Sequence, residues 1–323
     1  MRKLKKYLII TLLFIVVFVG ISPNFTQLCA IFEDQVSSQY YGFLLEISKY
    51  APATSIICVA LIMLLILAKH SLMPDVGFFK KLYYIKIELL LILLFSNSYW
   101  FANPVLKTQK LSNVAAADKL TGLNVNVSSE KGVEQLSQKA KSENADIIFV
   151  TSTSNNESFL KEKLESSGYS HLIKSKDNKI HIYSKYELFP VEGVNPNQAT
   201  AIVEKDNKSY LLIGLNNAQA NPLEARKEIE AALGQTISKT YPAILGGYLN
   251  LAPTDPGFNT IHSKYDMLKI SYPLVSGNPW LKGFFGDSSA PILGSDNLKF
   301  VSHEVANISG QRYRGELFIL DTN

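Results

Sequence analysis

Three long stretches in the first hundred residues lack charge, and they set this part of the chain apart from the rest. Tyr7 to Ala30 contains LIITLLFIVVFVGI, Ala51 to Ala68 contains SIICVALIMLLILA, and Leu89 to Leu106 reads LLLILLFSNSYWFANPVL. Each is near the roughly 20 apolar residues with which an α-helix crosses about 30 Å of hydrocarbon. The pattern predicts three transmembrane helices, over about 7–27, 51–69 and 84–104. Tyr83 and Tyr84 precede the third run, and Tyr99, Trp100 and Phe101 lie towards its end. Aromatic side chains favour these two interfacial depths, and Lys86 at the start of the run can snorkel to the surface.

Beyond residue 106 the pattern changes to short alternating and helical segments. In Gly122–Val127 (GLNVNV), Leu123, Val125 and Val127 share one face while Asn124 and Asn126 share the other, the signature of a half-buried strand. Gly132–Glu143 reads as an amphipathic helix, with Val133, Leu136 and Ala140 on one stripe. Asp146–Val150 (DIIFV) is a short apolar strand, and Ser158–Ser167 reads as a second helix. Strands are expected at Lys179–Ser184, Thr200–Glu204, Tyr210–Leu215, Ala243–Leu245, Leu298–His303 and Leu317–Leu320. Asn221–Leu233 is the clearest helix: Asn221 caps it, Pro222 takes the first position, Glu224 follows three residues after the cap, and Gly234 is expected to close it. Several adjacent strands have no helix between them, which favours an α+β fold with antiparallel sheets over a doubly wound parallel sheet. The organisation expected is an anchor over 1–106 and a folded domain over 107–323.

Charge sharpens this division. Nine of the 32 basic and five of the 28 acidic residues fall within 1–101, leaving 23 of each sign in 102–323. The net charge of +4 therefore belongs to the anchor, and nothing in the net charge of the domain indicates nucleic acid. Arg2, Lys3, Lys5 and Lys6 precede the first run, and Lys69, Lys80 and Lys81 lie between the second and third. Lys and Arg favour the cytoplasmic side, so the N-terminus and second loop are expected there and the domain outside. The alternative for the first run is a cleaved signal peptide. No compelling Ala-x-Ala site follows it, and the residues before Cys29 lack the small side chains of a lipoprotein box. Both cysteines, Cys29 and Cys58, precede the domain, which is expected to fold without disulfides.

The order of motifs resembles the endonuclease/exonuclease/phosphatase superfamily, the DNase I-like fold, and within it a bacterial branch with three spans before the domain. Leu123-Asn124-Val125-Asn126-Val127 is similar to the family's first strand, whose characteristic Asn lies near metal and phosphate; Asn126 is the better match and Asn124 the lesser. Asn144–Val150 is similar to the "PDIVVLQE" strand, but the place of its metal-holding Glu falls on Thr151-Ser152. Tyr183–Leu188 resembles "LSRYPI", and Leu212–Asn216 resembles the "THL" strand without its histidine. Ala243–Asn250 resembles "VIVGGDFN", keeping Asn250 and placing Tyr248 where the family has Asp. Ser295–Val301 resembles "IDHILV" and keeps Asp296, while Gln311–Leu317, with Tyr313, lacks the Asp and His of "SDHRPV".

The resemblance implies a four-layer α/β-sandwich behind a three-helix anchor in a bacterial cytoplasmic membrane, with the domain periplasmic or extracellular. It also implies Mg²⁺-dependent phosphoester hydrolysis. Such chemistry uses a metal to neutralise phosphoryl oxygens and a base to activate water, and Mg²⁺ favours carboxylate oxygens. With Ser152, Tyr248 and Tyr313 at the substituted positions, the expectation is a pseudoenzyme without a cofactor, retaining Asn126, Asn250 and Asp296 as a polar pocket. The same three residues also suit turn caps. His181 and His303 are expected on strands and His171 and His262 in loops, with no metal-ligand spacing among them. There is no G-x-S-x-G elbow, phosphate-loop lysine or H-E-x-x-H. Besides the bilayer, expected partners are a phosphorylated small molecule or an envelope protein. The alternatives are an active Mg²⁺-dependent phosphodiesterase or phosphatase with substituted residues, and a structural envelope module with no ligand.

Overall fold

The structure is a computed structural model. It describes residues 119–321 except 153–155, 194, 218–221, 237–239, 252–256, 270–291, 307 and 309–314, together with scattered helical positions between 18 and 95. The chain divides into two compact units. One comprises 1–106 with 254–256 and 279–286; the other comprises 107–253, 257–278 and 287–323.

The described residues of the first unit are helical and include positions 57–60 and 87–92. Cys58 and Leu90 are buried, while Ile92 and Phe95 are exposed by 65% and 73%. Among the described residues no helix is long and apolar enough to cross a membrane. Of the three predicted spans, the described residues include one position of 7–27, six of 51–69 and ten of 84–104; the rest lie outside the described residues.

The second unit contains two six-stranded sheets. The first has the order β11-β12-β1-β2-β4-β3, built from β1 (Lys119–Val127), β2 (Ile147–Ser152), β3 (His171–Lys174), β4 (Ile180–Ser184), β11 (Lys299–Ala306) and β12 (Gly315–Asp321). The second has the order β5-β6-β7-β8-β10-β9, from β5 (Leu188–Pro190), β6 (Gln198–Lys205), β7 (Lys208–Asn216), β8 (Ala243–Tyr248), β9 (Met267–Lys269) and β10 (Leu293–Ser295). Helices α1 (Glu130–Ser142) and α2 (Glu157–Glu165) follow strands of the first sheet. Helices α3 (Pro222–Thr236) and α4 (Gly257–Tyr265) belong with the second.

Alternation along the strands explains the layering, because successive side chains face opposite sides of a sheet. Leu120 of β1, Ile147 and Phe149 of β2, and Ile180 and Ile182 of β4 join Leu212 and Ile244 in a core between the sheets. The opposite faces, with Leu123, Val125, Ile148, Val150 and Tyr183, meet Val133, Leu136 and Ala140 of α1 and Leu160 and Leu164 of α2. Leu211, Ile213, Leu215, Ala243 and Leu245 pack against Ala225, Ile229 and Leu233 of α3 and Ile261 of α4. The result is helix, sheet, sheet, helix: an α+β sandwich of four layers.

Several expectations need correction. The sheets are mixed, because β1 runs parallel to β2 and β7 parallel to β8, each pair joined by a helix as parallel neighbours require. Helix α3 does not stop at Gly234 but runs on to Thr236. Gly234 serves packing there, since a Cβ would stand 3.2 Å from the Tyr265 hydroxyl. His171 lies on β3 and His262 on α4, not in loops.

Candidate functional site

The ends of β1 and β8 meet where Asn124 faces Gly247. Asn124 Nδ2 donates to the Gly247 carbonyl at 3.2 Å, and the Gly247 N–H donates to Asn124 Oδ1 at 2.9 Å. Only glycine fits the second partner, whose φ is +104° and whose Cβ would stand 2.1 Å from the Leu215 carbonyl oxygen. Two residues further along β1, Asn126 reaches sideways to β2, its Nδ2 donating to Thr151 O at 3.1 Å and Thr151 Oγ1 at 3.2 Å. Thr151 and Ser152 end β2 opposite Asn126 and Val127.

On the second sheet, Tyr248 follows Gly247 and its hydroxyl donates to Asn250 Oδ1 at 2.8 Å. Asn250 has φ 53°, a left-handed conformation that asparagine tolerates better than most residues. Asn216 lies opposite Tyr248 on β7, and the Asn217 N–H donates to the Tyr248 carbonyl at 2.7 Å. Asn197 Nδ2 ties this corner to α3, donating to Asn216 O at 3.0 Å and Glu228 Oε1 at 2.7 Å. Asn126, the Thr151-Ser152 end, Tyr248 and Asn250 therefore gather at one end of the sandwich.

Asp296 does not join them. Strand β10 runs antiparallel to β8, with Leu293 opposite Leu245 and Gly294 opposite Ile244. Asp296 thus lies past the start of β8, exposed in the turn that follows Ser295, with its N–H held by the Asp266 carbonyl at 2.9 Å. Tyr248 is at the other end of that strand, six residues along it and so roughly 20 Å away at about 3.3 Å per residue. Strand β11 agrees: its first residue, Lys299, shares Asp321 as a neighbour with Lys119, the first residue of β1. The expected pocket of Asn126, Asn250 and Asp296 is not assembled, and Tyr313 lies outside the described residues.

One carboxylate that sequence reasoning did not assign does reach this end. Glu316 of β12 is the cross-strand neighbour of Asn124, and its Oε2 accepts the Ile292 N–H at 3.1 Å. Its signal in the sequence was the alternation of β12, which puts it on the same face as Phe318 of the inter-sheet core. Asp146 is at the opposite end, before β2, buried and paired with Lys205 Nζ at 2.8 Å.

Chemically, the gathered end offers amides, hydroxyls and a phenol, with Glu316 of β12 as the carboxylate that reaches it among the described residues. Mg²⁺ selects hard, mostly anionic oxygens, and a single carboxylate that already accepts a backbone N–H fits it poorly. Among the described residues no three His, Cys, Asp or Glu side chains come together as a metal site. The arrangement is suited to hydrogen bonding with a polar ligand.

No protein-family model matches the chain, and no curated protein matches it. Solved structures do. An endonuclease/exonuclease/phosphatase from Bacteroides vulgatus is 12% identical, covered over 100% of its length by 64% of this chain, with a TM-score of 0.52. An AP endonuclease from Archaeoglobus fulgidus is 12% identical over 63% of this chain and 100% of its own, with a TM-score of 0.48. A Beutenbergia cavernae endonuclease/exonuclease/phosphatase is 11% identical over 63% of this chain and 71% of its own, with a TM-score of 0.47. At such identities the likeness is one of fold, and the α+β sandwich of this chain has the endonuclease/exonuclease/phosphatase fold.

Proposed function

We propose that the protein is a membrane-anchored, extracytoplasmic member of this fold that has lost hydrolysis and acts by binding. The observation that carries the reading is the Tyr248–Asn250 hydrogen bond of 2.8 Å. By the sequence resemblance, the phenol takes the position of a catalytic carboxylate, and its bond to Asn250 occupies the second polar group of the motif. The absence of a carboxylate at Thr151-Ser152 supports the same reading. So does the distance of Asp296, which has no histidine of the family motif to orient. Removal of an acid–base group alone typically costs about 10²–10⁴-fold in rate. The ligand class we favour is a phosphorylated small molecule or an envelope component, and the uncharged runs of the first hundred residues support the bilayer as the tether.

The test is hydrolysis of bis-p-nitrophenyl phosphate by the full chain in detergent micelles with Mg²⁺ or Mn²⁺. No turnover above the buffer rate is expected. Turnover that disappears in Asn250→Ala overturns the binding reading. A thermal-shift screen separates binding from a purely structural role, because a ligand of the folded state raises Tm. Alkaline phosphatase fused after Asn323 is expected to be active; an inactive fusion contradicts an exported domain.

A second reading is favoured by Glu316, a carboxylate directly across from Asn124. In it the protein is a divalent-metal phosphodiesterase with a relocated ligand. Its mark is metal-dependent turnover lost in Glu316→Gln.

A further inference from the structure

Strand β4 carries an unusual pair on its helix-facing side. His181 and Tyr183 are both fully buried, and neither ring nitrogen of His181 nor the Tyr183 hydroxyl has a hydrogen-bond partner. The rings meet edge to face, with centroids 6.1 Å apart and an interplanar angle of 78°. His181 is flanked by Val150 of β2 and Lys174 of β3. Helix α2 closes the same cluster, contributing Leu160 and Leu164. Its first turn is tied to β3 by Glu157, whose Oε1 lies 3.1 Å from Lys174 Nζ.

A buried polar group without a partner is costly, and a buried charge without one far more so. The imidazole is therefore neutral in this seat, and a proton can be accommodated only if the ring reaches water.

We propose that His181 makes the seat of α2 acid-sensitive: proton uptake from solvent by the imidazole unseats α2 from β3 and β4, so that the helix is released as the pH falls.

The charges around the ring set the response. Burial is the largest influence and holds its pKa below the ordinary 6.5. Glu157 of α2 opposes this and Lys174 of β3 reinforces it; the Asn178 backbone, close to the ring but outside hydrogen-bond geometry, and Asp177 of the β3–β4 turn oppose it more weakly. Burial also raises the Tyr183 phenol, helped by Glu157 and Glu165, so that ring remains neutral throughout. The sign follows from linkage. The released state binds its proton near 6.5 and the seated state only at lower pH. The seat is thus fully stable above about 6.5 and weakens as pH falls from there towards the lowered value, by about tenfold in the opening equilibrium per unit of displacement.

The experiment is hydrogen exchange followed by mass spectrometry on the full chain in detergent micelles, at pH 7.5 and 5.0, corrected for the intrinsic pH dependence of exchange. Peptides covering Glu157–Glu165 are expected to lose protection on acidification, while those covering α3 do not. His181→Phe is expected to abolish the difference. Two surface variants, each of which breaks the Glu157–Lys174 tie at both pH values, give opposite shifts in the difference between pH 7.5 and 5.0. Glu157→Gln removes a favourable charge and enlarges the acid-induced loss, and Lys174→Gln removes an unfavourable one and diminishes it. Equal responses of α2 and α3, an acid response that survives in His181→Phe, or surface variants that leave the loss unchanged or shift it in the reverse order overturn the proposal.

Discussion

Asn124 and Gly247, on different sheets, satisfy each other completely: the side-chain amide of one exchanges two hydrogen bonds with the backbone of the other, at 3.2 and 2.9 Å. Asn124 is fully buried, so neither Gly247 group has water as a substitute. Asn124→Ala leaves two buried backbone groups unpaired, at about 1–3 kcal/mol for each orphaned group. The expected loss is about 2–6 kcal/mol in urea unfolding; a loss under about 0.5 kcal/mol, the scale of a surface substitution, contradicts the joint.

Gly247→Ala tests the other half. Its backbone φ of +104° disfavours any side chain, and the new methyl would stand 2.1 Å from the Leu215 carbonyl oxygen. Strain of this kind costs of the order of 1–3 kcal/mol before the clash is counted. The variant is expected to be less stable than one with alanine at the exposed Glu204, measured in the same denaturant series.

At the far end of the sandwich, Asp146 Oδ2 accepts from Lys205 Nζ at 2.8 Å and from the Thr121 N–H at 2.9 Å. Asp146 Oδ1 accepts from the Tyr186 hydroxyl at 3.3 Å. Lys205→Met strands the carboxylate, and breaking a buried pair costs about 3–5 kcal/mol. The double variant Asp146→Leu, Lys205→Met is expected to recover part of that. Burial lowers the Lys205 pKa, but Asp146 outweighs it and the net displacement is upward from 10.5. The lysine's part of the pair is thus complete from neutral pH up to about 10.5 and is lost as the pH climbs through the raised value. Melting curves between pH 6 and 9 are expected to show no midpoint shift from this pair.

Rebuilding a metal site tests the reading of Tyr248. Ser152→Glu together with Tyr248→Asp supplies carboxylates at the two positions where the resemblance places them. The double variant is expected to gain a Mg²⁺-dependent rise in Tm, since an ion that binds only the folded state stabilises it. The natural protein is expected to show no such rise at the same concentration, and an equal rise in both would contradict a site lost through these two residues.

The parts of the fold that were legible in the sequence are those where apolar and polar positions recur with a clear period, although β1, expected to be half-buried, is buried on both faces because its asparagines lie between the two sheets. The alternation of Leu123, Asn124, Val125 and Asn126 identified β1 and its helix-facing side, and the stripe of Val133, Leu136 and Ala140 identified α1. The strand β3 was not legible because His171–Lys174 is an edge, partly buried at its first three residues, exposed at Lys174 and without a dominant face. The helix α4, sequence GFNTIHSKY, is only nine residues long and opens on Gly257, so its few apolar positions did not mark it as a helix. For the site, local motifs identified Asn126, Tyr248 and Asn250, whose positions follow from the strands that carry them. Motif order alone did not reveal that Asp296 belongs to the opposite end, because that depends on the antiparallel register of β10. The inward turn of Glu316 depends likewise on pairing with β1.

The joint between Asn124 and Gly247 also bears on how such chains are classified. A glycine pair followed by a polar loop, opposite an asparagine on the first strand, is commonly taken as a trace of catalysis. In this molecule the same letters are spent on carpentry: they peg two sheets together at the end where the chemistry of the fold is expected. Any sequence that builds this peg will keep those letters, whether it cuts a phosphoester or not. Hydrolytic competence should therefore be judged by carboxylates and histidines, and not by the asparagine and glycines that hold the frame.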